Sequence, residues 1–592
     1  MTQARVNGAW AGALIEGMLA GGARQAVVSP GSRHTPVVLA LHHAAQMGQL
    51  RIHTVLDERT AGFFALGLAR MTGEPTLLAC TSGSAGGHYL PALIEASHDR
   101  LPLIAMTADR PPELQGRGAP QTTMQSGLFE HHVRLFEDPG APGPDADMGG
   151  AYALAQRAIR AALGDNPGPV HLNLPFRKPL WGEGEPLTLS AQPPVTVETA
   201  RSCAPESLEE AAHRMRQVQR GLLVCGPGDL GLTGAPREEM TVHLRRAIAR
   251  LADTLSWPVV IDGASCLRGG DPIPHAHYVG DCVSRSEVLS QALAPELIVR
   301  LGQIPTSTPL RRFLAKAGKG KTLLLDATGQ RHDPDGVDAD LLPGDPTHTL
   351  ESLASILGRE ALEPDPSWAK CWSGVSNAVT DGIEAELGQG PLWAGTAVKL
   401  IAETLPKDGL IHLASSLAVR AFDTFAGPTR SGVQVTSNRG VNGIDGTLAT
   451  AFGQAAAWRG PVAVIAGDLA FLHDLGSLAT LAASWDGSPW VCVVLDNQGG
   501  GIFDHLPIAN HPSAYDTHFV TPQRADISAL AGAMVSTCVS VATPEALRTE
   551  LQGAFARPEV TVIHAPFSRE LDLSQHHRCW ALGAQAGEEA LL

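Results

Sequence analysis

Residues 461–501 read PVAVIAGDLAFLHDLGSLATLAASWDGSPWVCVVLDNQGGG, and this stretch decides the fold. Two short apolar runs, Pro461–Ala466 and Trp490–Leu495, are predicted strands because each is bounded by glycine, proline or acidic residues. The helical pattern over Asp474–Ala483 lies between them, and a strand–helix–strand crossover joins parallel strands. The stretch therefore predicts an α/β fold built on a parallel sheet.

Polar residues follow both of these predicted strands. Asp468 comes after the first strand, and Asn497, 29 residues later, comes after the second. A single crossover places them at the same end of neighbouring strands, where ligands of open α/β sheets bind. A carboxylate, an amide oxygen and a glycine carbonyl suit Mg²⁺, and residues 499–501 are glycines that let backbone amides approach a diphosphate. The structural alternative, an aspartate that caps a helix beside a glycine-rich loop, stays open here.

The same strand–helix rhythm extends over most of the 592 residues and predicts three α/β domains, with parallel sheets flanked by helices. We expect their bounds near 1–190, 205–360 and 370–592. A linker is expected over Trp181–Ala204, with a second boundary between Leu362 and Trp368, because both stretches are rich in proline and acidic residues. The remaining predicted strands are Gln25–Ser29, Ile52–Leu56, Thr76–Cys80, Leu103–Thr107, Pro169–Leu174, Gly221–Val224, Val259–Asp262, Leu297–Leu301, Thr322–Asp326, Gly409–Leu413, Gly432–Thr436 and Glu559–His564.

Composition excludes several classes of protein. A formal net charge of −16 argues against sequence-independent binding of nucleic acid, which needs clustered Lys and Arg. The nine cysteines show no CxxC pair, so thiols in a reducing cytoplasm fit better than disulfides or a zinc ribbon. No run of about 18 uncharged apolar residues is present, so no membrane span is expected.

Charged residues at the ends of other predicted strands are further candidates. Glu58 begins a predicted helix. Its negative charge there either interacts favourably with the helix dipole, or its carboxyl group hydrogen-bonds a heterocycle nitrogen. Four arginines, Arg33, Arg110, Arg420 and Arg439, lie in turns of the first and third blocks. Each alone fits a surface ion pair. Together they suit a substrate with several carboxylates, because a guanidinium pairs two oxygens at once.

Eight motifs bring these residues together in one resemblance. They are SPGSR (29–33), DER (57–59), TSGSA (81–85), ADRPPEL (108–114), GAPQ (118–121), SNRGVNGIDG (437–446), GDLAFLHD (467–474) and DNQGGGIF (496–503). The chain resembles the thiamine diphosphate (ThDP)-dependent decarboxylases and, within them, the menaquinone-pathway MenD family of 2-succinyl-5-enolpyruvyl-6-hydroxy-3-cyclohexene-1-carboxylate (SEPHCHC) synthases. The match is close in the first and third blocks and loose in the middle one. It implies a pyrimidine-binding (Pyr) domain, a central domain and a diphosphate-binding (PP) domain.

The resemblance implies a role for each residue of the cofactor site. Asp468, Asn497 and the Gly499 carbonyl would hold Mg²⁺, or Mn²⁺ in its place, on the diphosphate, with Gly467 and Leu469 beside the phosphates. Ile444 would be the apolar wedge under the bent cofactor. Glu58, supplied by the opposite subunit, would bond the pyrimidine nitrogen. An active site would then require a homodimer, or a dimer of dimers.

The implied reaction is decarboxylation of 2-oxoglutarate and 1,4-addition of the remaining four-carbon unit to isochorismate. Ser32, Arg33, Arg110 and Gln121 match the family's pocket in the first domain, and Ser416, Arg420 and Arg439 match it in the third. Ile502, Phe503 and Leu506 would form the apolar wall. The chain departs from the family at Thr308, where a lysine is common, and Arg311 or Arg312 is a candidate for the missing cation.

Three other interpretations remain at this stage. One is a different ThDP-dependent 2-oxo acid decarboxylase or carboligase, which the four turn arginines disfavour. Another is a non-catalytic relative, but such a protein would be expected to lack Glu58 or Asp468. The third is a dinucleotide-dependent oxidoreductase, but no G-x-G-x-x-G follows a first strand.

Overall fold

The computed structural model describes residues 2–182, 202–228, 235–359, 363–388 and 390–592. Over these residues the chain forms three sheets of six strands each, and every strand pair is parallel. Helices join and cover the strands, as parallel connections require. This confirms the predicted class of three α/β units.

The first sheet has the strand order β2-β1-β3-β4-β6-β5. Its strands are β1 (Gln25–Val28), β2 (Arg51–Thr54), β3 (Thr76–Cys80), β4 (Leu103–Asp109), β5 (Leu135–Glu137) and β6 (Val170–Pro175). Its helices are α1 (Gln3–Ala20), α2 (Thr35–Gln46), α3 (Glu58–Thr72), α4 (Leu90–Asp99) and α5 (Met148–Leu163).

The second sheet has the order β12-β11-β10-β7-β8-β9. Its strands are β7 (Gly221–Cys225), β8 (Val259–Ile261), β9 (Ala276–His277), β10 (Leu297–Leu301), β11 (Thr322–Asp326) and β12 (Asp340–Pro343). Its helices are α6 (Pro205–Arg216), α7 (Arg237–Leu255), α8 (Gly280–Val283), α9 (Glu287–Ala292), α10 (Thr308–Gly318) and α11 (Pro346–Leu357).

The third sheet has the order β14-β13-β15-β16-β18-β17. Its strands are β13 (Leu410–Leu413), β14 (Gln434–Ser437), β15 (Val462–Gly467), β16 (Trp490–Asp496), β17 (Thr537–Ser540) and β18 (Val560–Pro566). Its helices are α12 (Pro366–Leu387), α13 (Ala394–Thr404), α14 (Leu417–Phe425), α15 (Thr447–Ala457), α16 (Asp468–His473), α17 (Leu475–Leu481), α18 (Pro512–Tyr515), α19 (Ile527–Gly532), α20 (Pro544–Ala554) and α21 (Arg569–Glu589).

Helix α3 of the first unit packs closely along α15 of the third. A Cβ atom at Gly67 would overlap the carbonyl of Thr450, and one at Gly453 would overlap the carbonyl of Phe64. The two glycines therefore let the helix backbones approach each other, as small residues do at close helix crossings. One apolar cluster contains buried residues from all three units, so the core continues across their boundaries.

The predicted strands and the observed ones differ mainly at the sheet edges. All twelve remaining predicted strands, and both strands of 461–501, are present with ends shifted by at most two residues. Four strands were not predicted: β5, β9, β12 and β17 each lie at the edge of a sheet. Edge strands are short and partly exposed, so they lack the continuous apolar run that marks a buried parallel strand.

The predicted domain limits stay predictions. Most of the expected linker Trp181–Ala204, namely 183–201, and the start of the second boundary, Leu362, lie outside the described residues. The third unit begins with α12 at Pro366, slightly before the predicted limit of 370. Among the described residues, no helix is both long and apolar enough to cross a membrane.

Candidate active site

Strands β15 and β16 place Asp468 and Asn497 at one edge of the third sheet. The two strands are parallel neighbours, and Gly467 at the end of β15 pairs with Leu495 of β16. Asp468 is the first residue of α16, and Asn497 follows the last residue of β16. Both side chains are buried. The predicted juxtaposition at the carboxyl end of two strands is confirmed.

Asp468 faces a second carboxyl group, Asp496. Burial raises the pKa of Asp468 to about 7, and the negative charge of Asp496 adds to the rise. The Asp496 carboxylate accepts a hydrogen bond from Asp468, and its other oxygen lies 2.8 Å from Nε2 of His564. Two buried carboxyls in contact hold a shared proton unless a cation replaces it. The pair thus provides the negative charge that a divalent cation needs.

Asn497 is oriented by a residue far along the chain. Its side chain hydrogen-bonds the carboxyl of Asp572 in α21, which also accepts the Ala394 amide at 3.2 Å. Because a carboxylate only accepts, the Asn497 NH₂ group is the donor and its carbonyl oxygen is left for another ligand. Asp572 could not be predicted as a site residue from the sequence, since one aspartate in a polar helix resembles any surface aspartate.

The glycine loop after β16 leaves room beside these groups. Gly499 has φ +130°, a conformation that L side chains rarely adopt, and a Cβ there would overlap the Val520 carbonyl. At Gly467, by contrast, a Cβ would have no heavy atom within 4 Å, so space is open beside the start of α16. Leu469, on that same turn, is partly buried. A loop of this kind lets an anion approach backbone amides.

These groups fit a magnesium diphosphate. One carboxylate, one amide oxygen and a backbone carbonyl are hard oxygen ligands, and Mg²⁺ usually completes its shell with water and substrate phosphates. No group of three or more His, Cys, Asp or Glu side chains with metal-ligand geometry is found in the described part of the chain.

The loop that carries Arg439 and Ile444 is held by the first unit. Glu95 of α4 accepts the amides of Gly440 and Val441, each at 2.8 Å. Ile444, two residues before the α15 N-cap Gly446, is partly buried and packs against the main apolar cluster. Glu95 also could not be predicted from the sequence, because its contact with Gly440 and Val441 joins residues far apart in the chain.

Glu58 lies at the first position of α3, after the N-cap Asp57. It lines a cavity of about 490 Å³ whose walls are Thr81, Ser82, Gly83, Ser84, Ala85, His88, Gln121, Thr122 and Thr123. All of these residues belong to the first unit. The cavity therefore brings Glu58 together with the predicted TSGSA and GAPQ motifs but not with Asp468.

Arg33, Arg110 and Gln121 form one set of predicted substrate residues. Burial lowers the pKa of both guanidinium groups, and the charge of Arg110 lowers that of Arg33 further. Arg33 donates to the Phe176 carbonyl at 2.8 Å, and Arg110 donates to Gln121 Oε1 at 3.3 Å. Ser32, adjacent to Arg33, is exposed. Neither arginine has an ion-pair partner among the described residues.

Arg420 and Arg439 form the second set. Arg420 donates to the carbonyl of Ser416 at 2.7 Å, and its pKa is lowered by burial and by the charge of Arg439. Burial also lowers the pKa of Arg439, although the carboxylates of Asp262 and others raise it. A buried cation and a half-buried cation that lie close together, with no ion-pair partner in the described ranges, are suited to binding an anion. Within the described residues, no hydrogen bond or ion pair joins these two arginines to the set formed by Arg33, Arg110 and Gln121.

Four of the ten non-glycine residues with a positive φ among the described residues lie in the predicted site segments. Positive φ angles occur at Gln121 (55°), Ser416 (70°), Asn442 (62°) and Gln498 (64°), none of which is glycine. Each lies within a predicted site motif or directly beside one. Such conformations cost about 1–3 kcal/mol and concentrate at ligand sites.

The predicted apolar wall is partly exposed. Ile502 and Phe503 are partly buried, Phe503 meets Phe519 edge to face with centroids 5.5 Å apart, and Leu506 is 46 % exposed. Thr308, at the lysine position, is the exposed first residue of α10. Arg311 is paired with Asp335 at 2.8 Å and is therefore not available as the missing cation, whereas Arg312 is exposed.

Two family models match the chain at these sites. The thiamine pyrophosphate enzyme N-terminal TPP-binding domain matches residues 10–128, and the corresponding C-terminal TPP-binding domain matches residues 425–565. The first match includes Glu58, and the second includes Asp468 and Asn497. The sequence-based expectation of a ThDP enzyme is confirmed.

Relatives that match most of the chain show which family of ThDP enzymes it belongs to. A protein of Sorangium cellulosum is 34 % identical over 98 % of this chain and 96 % of its own length. One of Myxococcus xanthus is 35 % identical over 99 % of both chains, and one of Geobacillus kaustophilus is 35 % identical over 87 % of both. All three are named 2-succinyl-5-enolpyruvyl-6-hydroxy-3-cyclohexene-1-carboxylate synthase, which favours that interpretation over another ThDP carboligase. The chain therefore belongs to the family of SEPHCHC synthases, ThDP-dependent enzymes of menaquinone biosynthesis.

Proposed function

We propose that this chain decarboxylates 2-oxoglutarate and adds the remaining four-carbon unit to isochorismate, giving SEPHCHC. The observation that carries the proposal is the convergence of Asp468 and Asn497 at one sheet edge, combined with four guanidinium groups that have no ion-pair partner in the described ranges. The first feature suits a magnesium diphosphate, and the second suits substrates with several carboxylates. Relatives with full-length similarity carry the name of this activity.

Asp468, Asn497 and the Gly499 carbonyl would hold Mg²⁺, or Mn²⁺, on the diphosphate, with Gly467 and Leu469 beside the phosphates. Ile444 would support the bent cofactor from below. When bound, thiamine diphosphate supplies the electron sink that decarboxylation of a 2-oxo acid requires. The protein would contribute position: the hydrogen bond to Asp572 leaves the Asn497 carbonyl oxygen for the metal, and Glu95 holds the loop that carries Ile444.

Glu58 would hydrogen-bond the pyrimidine ring nitrogen and move a proton at that atom. Its cavity offers no second charged carboxylate or guanidinium, so a heterocycle can enter without displacing an ion pair. A carboxyl group in such a position acts as a general acid–base, and groups of this kind contribute about two to four decades in rate.

The arginines would bind and orient the substrate carboxylates. Arg33 and Arg110, with Ser32 and Gln121, form one binding set, and Arg420 and Arg439, with Ser416, form the other. Ile502, Phe503 and Leu506 would cover the apolar part of the substrates and exclude water. Because two of these guanidinium groups are buried and two are half-buried, a carboxylate that binds there meets a stronger local field than it would in water.

We further propose that two copies of the chain build each site. The Glu58 cavity is lined by the first unit alone, so the residues of the diphosphate side must come from elsewhere. Several exposed apolar side chains also lie beside site motifs: Leu56 (69 % exposed), Met124 (82 %), Val441 (43 %) and Leu506 (46 %). A homodimer would cover them. The cytoplasmic location stays a prediction, supported by nine free cysteines.

The experiment is a product assay with purified protein. Incubation with ThDP, Mg²⁺, 2-oxoglutarate and isochorismate should release CO₂ and form SEPHCHC, detected by mass spectrometry. Replacing 2-oxoglutarate by pyruvate, which lacks the second carboxylate, should reduce turnover at least tenfold. CO₂ release from pyruvate at an equal rate would contradict the assignment of the arginines, and no product with either acid would contradict the proposed reaction.

A further inference from the structure

Asp474 lies where the end of α16 and the beginnings of α15 and α17 meet. It follows the last residue of α16, the helix that begins with Asp468. Its Oδ2 accepts the Ala449 amide of α15 at 2.9 Å, and its Oδ1 accepts the Ser477 hydroxyl at 2.6 Å. The Leu448 amide also bonds this carboxyl. One side chain thus joins α16 to the beginning of α15 and α17.

The beginning of α15 depends on this carboxyl. The first amides of a helix have no partner within the helix, and the N-cap of α15 is Gly446, which has no side chain to supply one. Asp474 supplies it from another element. Gly446 is held in turn by its surroundings, since its φ is +64° and a Cβ there would overlap the Phe63 ring. Ile444, the proposed wedge, lies two residues earlier.

The contact continues into the first unit. The Ser477 hydroxyl, which bonds Asp474, is 2.9 Å from the hydroxyl of Thr60, and both residues are fully or almost fully buried. Thr60 is two residues after Glu58, in the first turn of α3. A chain of three side chains, Thr60–Ser477–Asp474, therefore connects the turn that carries Glu58 to the segments that carry Ile444 and Asp468.

We propose that Asp474 is a positioning residue. It fixes two segments relative to the diphosphate side: the segment that carries Ile444, and the first turn of α3, which carries Glu58. The inference rests on the proposed function, and it gives a role to a residue that the proposed function leaves without one. Asp474 makes no ion pair among the described residues, so its carboxyl acts as a hydrogen-bond acceptor. In the dimer proposed above, Glu58 serves the partner's cofactor, and the same three side chains would then mechanically connect two active sites.

The charges around Asp474 are few. Arg59 of α3 is attracted to it at longer range, and His473, its neighbour, favours the charged form. Burial outweighs them and raises the pKa of Asp474 to about 6. The carboxylate is therefore held in place by its amide and hydroxyl donors rather than by a cation, and removing it leaves those donors without a partner.

The test measures ThDP binding and cofactor activation separately. Asp474→Ala should bind ThDP about tenfold more weakly in the presence of Mg²⁺, the equivalent of one lost helix cap. At saturating ThDP, exchange of the C2–H proton of ThDP bound to this variant, followed by NMR, should also be at least tenfold slower than in the wild type. Asp474→Asn should recover part of both losses, because its amide oxygen can still accept from Ala449.

A matched control is Asp326→Asn in the second unit. Asp326 is buried, accepts the Thr328 and Gln330 amides and pairs with Arg100, so its substitution should lower the thermal midpoint as well. It should leave ThDP affinity and C2–H exchange unchanged. A merely structural role of Asp474 would give the same pattern as this control, and that result would overturn the proposal.

Milder variants serve if Asp474→Ala does not fold. Ser477→Ala and Thr60→Val each interrupt the same chain, and each should slow C2–H exchange, with a double variant no slower than the worse single one. Wild-type exchange in both would overturn the proposal. These results are read only against wild-type protein that binds ThDP, since a failure of the wild type to bind refutes the proposed function itself.

Discussion

Arg439→Met should weaken catalysis and, at the same time, leave the free protein at least as stable as the wild type. Arg439 is only 7 % exposed, and burial lowers its pKa despite four carboxylates nearby. Its charge is thus a net cost in the free protein, and it also lowers the pKa of Arg420. Methionine keeps most of the volume and removes the charge.

The magnitude follows from the partners that Arg439 would leave behind. The nearby carboxylates already have other donors: Asp262 accepts from Thr306, and Glu95 accepts from Gly440. Removing Arg439 therefore strands none of them. Replacing a buried ion pair by apolar residues is often neutral or stabilising by about 1–4 kcal/mol, and we expect the same sign for Arg439, which has no ion-pair partner in the described ranges. Losing a desolvated charge that pairs with substrate costs about 2–5 kcal/mol, or at least tenfold in kcat/KM.

Arg268→Met is the matched control, because Arg268 is also buried but its guanidinium has a carboxylate partner and two carbonyl acceptors. It donates to the carbonyls of Ile261 and Asp423, each at 3.0 Å, and its guanidinium lies 3.8 Å from the Asp423 carboxylate. Its loss leaves a buried carboxylate uncompensated, which costs about 3–5 kcal/mol of stability. Thermal midpoints and kcat/KM for both substrates would be measured for the two variants. A lowered midpoint with unchanged kcat/KM for Arg439→Met would refute the substrate role.

Three further predictions concern the cofactor site and the core. Glu58→Gln should slow C2–H exchange of bound ThDP by about two to four decades without changing the thermal midpoint; exchange at the wild-type rate would leave Glu58 only its place at the helix start. Gly446→Ala should lower both ThDP affinity and the thermal midpoint, because its φ is +64° and Phe63 occupies the Cβ position, whereas Gly374→Ala, with open space around it, should be neutral or stabilising by up to about 1 kcal/mol. Burial lowers the pKa of six histidines to about 3 or 4, so each takes up a proton on unfolding between that pKa and about pH 6.5. Their contribution to stability is complete above about pH 6.5 and is lost as the pH falls toward 4. His277→Phe should make the decline of the thermal midpoint over this interval shallower, and an unchanged decline would contradict the assignment. The six are His34, His53, His171, His277, His505 and His576.

Much of the fold could be predicted from the sequence because its central strands are buried on both faces. Strands such as β3 and β15 are continuous apolar runs, whereas the edge strands β9 and β12 are short and partly polar, and their pairing depends on the neighbouring strand. The joint position of Asp468 and Asn497 was likewise predictable, since one crossover fixes the ends of two parallel strands.

The supporting residues of the site could not be predicted in this way. Asp572, Glu95 and Asp474 each act on a segment from another element. Nothing in the local sequence of Asp572 or Glu95 distinguishes them from surface carboxylates, and Asp474 stood out only as the last residue of the GDLAFLHD motif, with no role assigned to it. The arginines were visible as turn residues, but their grouping into two sets depends on tertiary packing. The lack of an ion-pair partner for Arg439 in the described ranges, on which the substrate assignment depends, is a property of the folded chain alone.

Calorimetric titration of ThDP into the protein, with and without Mg²⁺, tests the central claim most directly. The wild type should bind ThDP tightly only when Mg²⁺ is present, because in the proposed site Asp468 and Asn497 would bind the diphosphate through the metal. Asp468→Ala should lose the metal-dependent part of the affinity while its circular dichroism spectrum stays that of the wild type. Equal affinity in the wild type and Asp468→Ala, or tight binding that does not depend on Mg²⁺, would contradict the account.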